Sequence, residues 1–223
     1  MPGSALISMP ADTQVHREPS AVRAEKRAII LDAAIHVFAR NGYHGSRISD
    51  IATQAGVAYG LVYHYFKNKE EILATIFEER WAAFLEVLEG IASGPNSTED
   101  KLVSVAALIL NVFRVRPDWV KVLVMEIQRS QRFSQPEQIR AVARLFELVA
   151  RIVRSGQTTG ELRQDLDAQV ACTMFIGALD LEITSLVLGL KKIEGDEAEE
   201  REHYSKVART VVGIFMRGME ARS

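Results

Sequence analysis

The amino-acid sequence predicts an all-α protein built from nine helices. From about residue 23 onward, apolar residues recur at the spacing of one helix face. No segment shows the strict alternation of a half-buried strand, and we find no internal repeat. With 223 residues, 48% of them hydrophobic, the chain is long enough to bury one large core or two smaller ones.

The first helix is predicted to follow a disordered tail over residues 1–22, which are rich in Pro, Ser and Ala and show no period. We expect this helix to end at Asn41-Gly42, since both residues tolerate the left-handed conformation of a helix C-terminus. Its apolar stripe consists of Ile30, Ala33, Ala34, Val37 and Phe38.

Two short helices are predicted next. Ser46 has the residue type of an N-cap and is expected to open the second helix, which runs to Ala55. Gly56 breaks that helix and supplies the backbone freedom of a tight turn. A third helix is expected from about Ala58 to Phe66.

The long fourth helix begins at a capping box, because Asn68 and Glu71 have the required spacing. It is expected to end at the loop 93–97. A later helix is expected to start at Pro117, because proline is favoured at the first position of a helix. Five further helices are predicted. The fifth covers about 98–115, the sixth starts at 117, and the seventh starts within 134–136 and ends near 155–156. The eighth starts at 165 or 167 and ends near 190, and the ninth covers 197–220.

Composition and charge exclude several classes of protein. Lys and Arg total 27 against 29 Asp and Glu, so the net charge of −2 does not indicate a nucleic-acid or membrane partner by itself. The single cysteine, Cys172, excludes an internal disulfide framework. The N-terminus has no signal-peptide pattern, and the apolar stretch 170–190 carries Asp180 and Glu182, which are costly in a bilayer. We therefore expect a cytoplasmic protein without a membrane partner.

The segment Ser46–Phe66 carries the strongest functional signal. Ala52, Gly56 and Val62 have the spacings of a helix-turn-helix, with small residues where the two helices cross. The net charge over residues 23–72 is +2, from seven basic and five acidic residues, and Arg47, Lys67 and Lys69 lie where phosphates would pass. The third helix is expected to expose Ala58, Tyr59, Gly60, Tyr63, His64 and Tyr65 to a major groove.

These residues resemble the DNA-binding domain of TetR-type repressors over about residues 24–84. The similarity lies in Gly42-Tyr43, Ile51-Ala52, Ala55-Gly56-Val57, Gly60, Tyr63-His64-Tyr65-Phe66 and Lys69-Glu70-Glu71-Ile72-Leu73. The resemblance implies that Ser46, Tyr63 and Tyr65 donate hydrogen bonds to phosphates and that Lys69 adds a point charge. It also implies that Ala58, Tyr59 and His64 face base edges. Position 59 is often basic in this family, so Tyr59 removes the Arg that would make a bidentate guanine contact.

The second half resembles the FadR-type branch of TetR regulators, which respond to fatty acids. Met125-Glu126-Ile127-Gln128-Arg129-Ser130 and Met174-Phe-Ile-Gly-Ala-Leu-Asp180 carry this similarity. The resemblance implies a long-chain acyl-coenzyme A effector that releases the repressor from DNA. An acyl chain needs an apolar tunnel between helices, and its anionic head group needs cations such as Arg129. The predicted lining consists of Leu102, Val105, Ile109, Phe113, Leu123, Ile127, Phe146, Val149, Met174, Phe175 and Ala178.

The resulting hypothesis is a two-domain regulator, with residues 23–70 binding DNA and residues 71–223 binding an effector and pairing two chains. Homodimerisation is expected through the last two helices, because one helix-turn-helix offers too small an interface for a specific site. A multidrug-efflux repressor that binds aromatic or cationic compounds is an alternative, and so is a helical ligand carrier that does not bind DNA. No catalytic, metal or cofactor motif is found, so neither enzymatic activity nor a cofactor is expected.

Overall fold

The computed structural model of the protein describes residues 19–129 and 136–219, with side chains described for 20–124 and 139–219. Within these ranges the chain forms nine helices and no strand, which confirms the predicted all-α class. The helices are α1 (Pro19–Gly45), α2 (Ile48–Ala55), α3 (Tyr59–Tyr65), α4 (Lys69–Ser93), α5 (Thr98–Val115), α6 (Pro117–Arg129), α7 (Pro136–Thr159), α8 (Ala168–Val187) and α9 (Glu197–Met219).

Helix α1 begins earlier than the sequence predicted. Pro19 is its first residue, so the predicted disordered tail is wrong for residues 19–22, while residues 1–18 lie outside the described part of the chain. Gly42 adopts φ 69° inside α1 and interrupts its helical backbone, as expected for the Asn41-Gly42 stop. The predicted apolar stripe of α1 is fully or almost fully buried, and α1 as a whole packs against α2, α6 and α4.

The predicted cap of α2 is wrong by one residue. Arg47, in an extended conformation, is the N-cap, and its backbone N–H donates to Asp50 Oδ2 at 2.9 Å. Ser46 lies just before the helix and is only 3% exposed. Gly56 ends α2 at φ 65°, and its N–H donates to the Thr53 carbonyl at 3.2 Å.

The long helix α4 joins the N-terminal helices to the rest of the molecule. Asn68 caps it as predicted, because its Oδ1 accepts from the Glu71 backbone N–H at 2.8 Å. Two ion pairs then connect α4 to α1, with Arg27 2.5 Å from Glu79 and Arg80 2.7 Å from Asp32. Helix α4 therefore contacts α1 on one side and packs against α7 on the other.

The C-terminal helices pack around one core, with α5 against α9 and α8 against α7. Asp167 caps α8 by accepting from the backbone N–H groups of Gln169 and Val170 at 2.8 Å. Helix α8 ends at Val187 rather than at the predicted residue 190, and α7 extends to Thr159 beyond the predicted stop. By length and composition α8 is the one described helix that meets the criteria for a membrane span, which on its own is weak evidence.

Candidate DNA-binding surface and central cavity

Helices α2 and α3 form a compact helix-turn-helix. Val62 is completely buried, and Ala52 is almost completely buried beside it. Gly56 adopts the left-handed backbone conformation that lets the chain turn between the two helices. This arrangement fixes α3 against the N-terminal core and leaves the opposite face of α3 exposed.

Two tyrosines dominate the exposed face of α3. Tyr59 is 54% exposed and Tyr63 is 47% exposed, one turn further along the helix. Their hydroxyl oxygens are 3.2 Å apart, and their rings meet edge to face with centroids 5.2 Å apart. The hydrogen bond with Tyr59 is the main cause of a raised pKa for Tyr63. Gly60 and His64 on the same short helix are exposed, and so is Ala58, the N-cap residue that precedes it.

Ser46 and Lys69 have structural roles that the sequence did not reveal. The Ser46 hydroxyl donates to the Gly42 carbonyl at 2.6 Å, so in this conformation its proton is not available to a phosphate. The Lys69 ammonium donates to the carbonyls of Tyr43 at 2.6 Å and Ser46 at 2.8 Å. It also lies 4.4 Å from the centre of the Tyr43 ring. Lys69 therefore closes the C-terminal end of α1, and two of its three N–H donors are used there.

The other predicted phosphate contacts lie at the edges of the same surface. Arg47 is exposed at the N-terminus of α2. Tyr65 is half-buried at the end of α3 and packs against the core, with its ring 6.5 Å from that of Phe66. Arg47, Tyr63 and the partly exposed Tyr65 thus remain predicted phosphate contacts, and Ser46 could join them only if its hydroxyl left the Gly42 carbonyl.

A central cavity of about 360 Å³ lies among α4, α5, α6, α7 and α8. Its wall is mostly apolar and includes four large aromatic side chains, Trp81, Phe84, Trp119 and Phe146. The volume falls near the lower end of the range for small-molecule sites. The other lining residues are Ile109, Val112, Val120, Leu123, Val124, Val142, Leu145, Thr173, Ile176, Gly177, Asp180 and Ile183.

Three of the predicted lining residues, Ile109, Leu123 and Phe146, are found in the wall of the central cavity. The other predicted residues whose side chains are described do not line this cavity. Leu102, Val105 and Val149 have no exposed surface and belong to the solid core, and Phe113 packs edge to face against Tyr204 of α9. Met174, Phe175 and Ala178 line a different groove, between α8 and α9. Ile127 and Arg129 fall outside the described side chains.

Among the described residues that line the central cavity, Asp180 is the only ionisable one. Partial burial raises the pKa of its carboxyl group, because the charged form loses some of its contact with water. Sequence reasoning marked Asp180 as unusual on an apolar helix but did not place it in the cavity. It did not assign Trp81 or Trp119 to the ligand pocket, although a tryptophan on an apolar stripe is a signal for a cavity wall.

The first turn of α6 contacts both the cavity and the N-terminal domain. Trp119 and Val120 line the central cavity, whereas the preceding residue, Asp118, faces α1. Its Oδ2 lies 2.5 Å from Nδ1 of His36. One turn of helix thus connects the cavity wall to the helix that carries the DNA-binding core.

A helix-turn-helix with an exposed second helix, joined to a helical domain with an apolar cavity, defines a DNA-binding regulator with a ligand site. Residues 30–76 match the family described as "Bacterial regulatory proteins, tetR family", and residues 77–204 match "YsiA-like protein, C-terminal region". The chain belongs to the TetR family of bacterial transcriptional regulators.

Its relatives include regulators of fatty-acid metabolism. The fatty acid metabolism regulator protein of Bacillus subtilis is 32% identical over 165 residues, which cover 74% of this chain and 85% of that protein. The structure of FadR from Bacillus subtilis in complex with stearoyl-CoA matches with a TM-score of 0.74 and 29% identity, over 86% of this chain and 98% of that one. FadR from Bacillus halodurans matches with a TM-score of 0.75 and 26% identity, over 88% and 97% of the two chains.

Proposed function

We propose that the protein is a cytoplasmic, non-catalytic repressor whose α3 enters the major groove of a palindromic operator. The exposed face of α3 supports this proposal, because the small residues Ala58 and Gly60 on either side of Tyr59 allow close approach to the DNA. Tyr63, Tyr65 and Arg47 would contact phosphates, and Ala58, Tyr59 and His64 would face the bases.

A second copy of the chain is the proposed partner, bound through α8 and α9. Met174 and Leu181 on α8 and Ile214 on α9 are each more than 60% exposed in the single chain. Between the two helices lies an apolar groove of about 480 Å³. Apolar surface of this extent is typical of a protein interface, and pairing through it would present two copies of α3 to one operator.

The proposed effector is a long-chain acyl-coenzyme A whose chain occupies the central cavity. The observation that carries this proposal is the cavity itself, which is apolar, lined by five helices and located in the domain similar to FadR. For binding to release DNA, the acyl thioester must bind the DNA-incompetent state more tightly than the DNA-bound state.

Fluorescence anisotropy with a labelled duplex tests the proposal. The duplex is chosen by affinity selection from a pool that contains random sequences and the DNA upstream of the protein's own gene. We expect salt-dependent binding that palmitoyl-coenzyme A reverses and free coenzyme A does not. Binding that no acyl-coenzyme A reverses would contradict the effector. Failure to select any duplex would favour the helical carrier.

Asp180 favours a second candidate effector, a cationic aromatic compound. A carboxylate among aromatic rings is a suitable environment for a cation, because charge and ring quadrupole both attract it. In the same assay, a lipophilic cation such as tetraphenylphosphonium would then release the DNA. Asp180→Asn should abolish release by the cation and leave release by palmitoyl-coenzyme A intact, so the two candidates are distinguishable.

A further inference from the structure

The exposed face of α3 lacks the side chains that proteins use for bidentate base recognition. Over Ala58–Tyr65 there is no Arg, Lys, Asn, Gln, Asp or Glu, although these are the residues that pair with guanine, adenine or cytosine edges. The groups that α3 exposes are the Ala58 methyl, two tyrosine rings and the His64 imidazole. Base recognition through this helix must therefore depend strongly on apolar contact.

In the major groove, the apolar group that distinguishes one base from the others is the C5 methyl of thymine. Tyr59 offers the largest exposed ring surface of α3, and it lies on the first turn, whose residues contact bases in helix-turn-helix proteins. Gly60 follows it without a side chain, and a Cβ built there would meet nothing within 4 Å. The backbone next to Tyr59 is therefore open to close approach by a base pair.

Tyr63 holds the Tyr59 ring in place before any DNA binds. The two hydroxyl groups are within hydrogen-bonding distance at 3.2 Å, and the rings meet edge to face. An exposed side chain normally loses rotamer freedom when it binds, and a preformed contact of this kind reduces that loss. Only one of the two hydroxyl protons is used between the tyrosines, so the other stays available for a phosphate or water.

We propose that Tyr59 and Tyr63 form one recognition unit that reads thymine, with the Tyr59 ring packed on the C5 methyl group and Tyr63 acting as its positioning residue. This inference rests on the proposed entry of α3 into the major groove. It assigns a base preference to a position where the family often carries a basic residue.

Deoxyuridine provides the direct probe, because it keeps the base-pairing edge of thymine and removes only the C5 methyl. Each thymine of the selected operator is replaced in turn, symmetrically in both half-sites, and the dissociation constant is measured by anisotropy. At one position or more we expect a loss of about fourfold per half-site, or about fifteenfold for the dimer, as for the burial of one methyl group. We call the dissociation constant of the deoxyuridine-substituted operator, divided by that of the unmodified operator, the deoxyuridine penalty.

Three variants assign the penalty to the tyrosine pair. Tyr59→Ala should reduce the penalty to about one at the sensitive position, and Tyr63→Phe should lower it by removing the hydroxyl contact. Tyr65→Phe is the matched control, since it also removes a hydroxyl from α3 but leaves the Tyr59–Tyr63 contact intact. It should keep the wild-type penalty even where the overall affinity falls.

Several results would overturn the inference. These are a selected half-site without thymine, an operator in which no deoxyuridine changes affinity, and a penalty that persists in Tyr59→Ala. The last result would assign the effect to DNA shape rather than to the ring. An unchanged penalty in Tyr63→Phe would remove the positioning role. If no duplex is selected at all, the proposed DNA contact through α3 fails together with the inference.

Discussion

Gly177 offers a way to fill the central cavity without disturbing the fold. It lies on α8 in the cavity wall, and a Cβ built at this position would meet nothing within 4 Å. A glycine inside a helix costs about 1 kcal/mol relative to alanine, so Gly177→Phe should not lower the free energy of unfolding. The phenyl ring would instead take space from an acyl chain. If it excludes about four methylene groups at about 0.8 kcal/mol each, the affinity for palmitoyl-coenzyme A falls about two hundredfold.

The assay is release of the operator by palmitoyl-coenzyme A, measured beside unliganded DNA binding and thermal unfolding. Gly177→Ala adds only a methyl group and should retain release. Gly90→Phe is the matched control outside the cavity, because Gly90 is also an exposed helical glycine with open space around its Cβ position. Sedimentation checks that the dimer persists. Normal release by a folded, dimeric Gly177→Phe protein would refute the assignment of the acyl chain to this cavity.

Four further predictions concern individual side chains. Lys69→Met should lower the free energy of unfolding by about 2 kcal/mol, because two charge-assisted hydrogen bonds are lost. The slope of log DNA affinity against log salt concentration should change by less than the loss of one phosphate contact would change it. Ser46→Ala should cost about 1 kcal/mol in urea unfolding and leave that slope unchanged, since the hydroxyl is bound to Gly42. Asp180→Asn should stabilise the protein at pH 7 but not below about pH 4. A raised pKa in the folded state means that folding is less favourable with the carboxyl group ionised, and the substitution removes this cost only where the group is ionised. An equal gain in stability at both pH values would contradict this. Burial raises the pKa of Cys172 to about 11, so the native thiol should resist an alkylating reagent at pH 8 and react once the chain is unfolded.

The sequence predicted well what depends on neighbouring residues. Asn68 and Asp167 cap α4 and α8, and Pro117 is the first residue of α6, because each of these signals acts within one turn of helix. The helix-turn-helix was equally visible, since Ala52, Gly56 and Val62 lie within eleven residues of one another.

The sequence predicted poorly what depends on contacts between distant segments. Lys69 contacts the Tyr43 carbonyl 26 residues away, and no local pattern indicates this. On α5 the helical period correctly marked Leu102, Val105 and Ile109 as apolar. It does not tell which turn of that stripe packs into the solid core and which lines an empty space. That difference depends on where α9 and α6 lie, so only Ile109 of the three reaches the central cavity.

The position of the central cavity suggests how occupancy would reach the DNA-binding domain. Two of its walls, α4 and α6, also contact α1. Helix α4 does so through Arg80, which directly precedes Trp81 and lies one turn before Phe84, and α6 does so through Asp118, next to Trp119. Exposed ion pairs contribute at most about 1 kcal/mol each, so neither pair is strong enough to act as a lock. The coupling must therefore come mainly from packing: a ligand that separates α4 from α6 displaces two supports of α1 together, and α2 and α3 move with α1 because all three share one core.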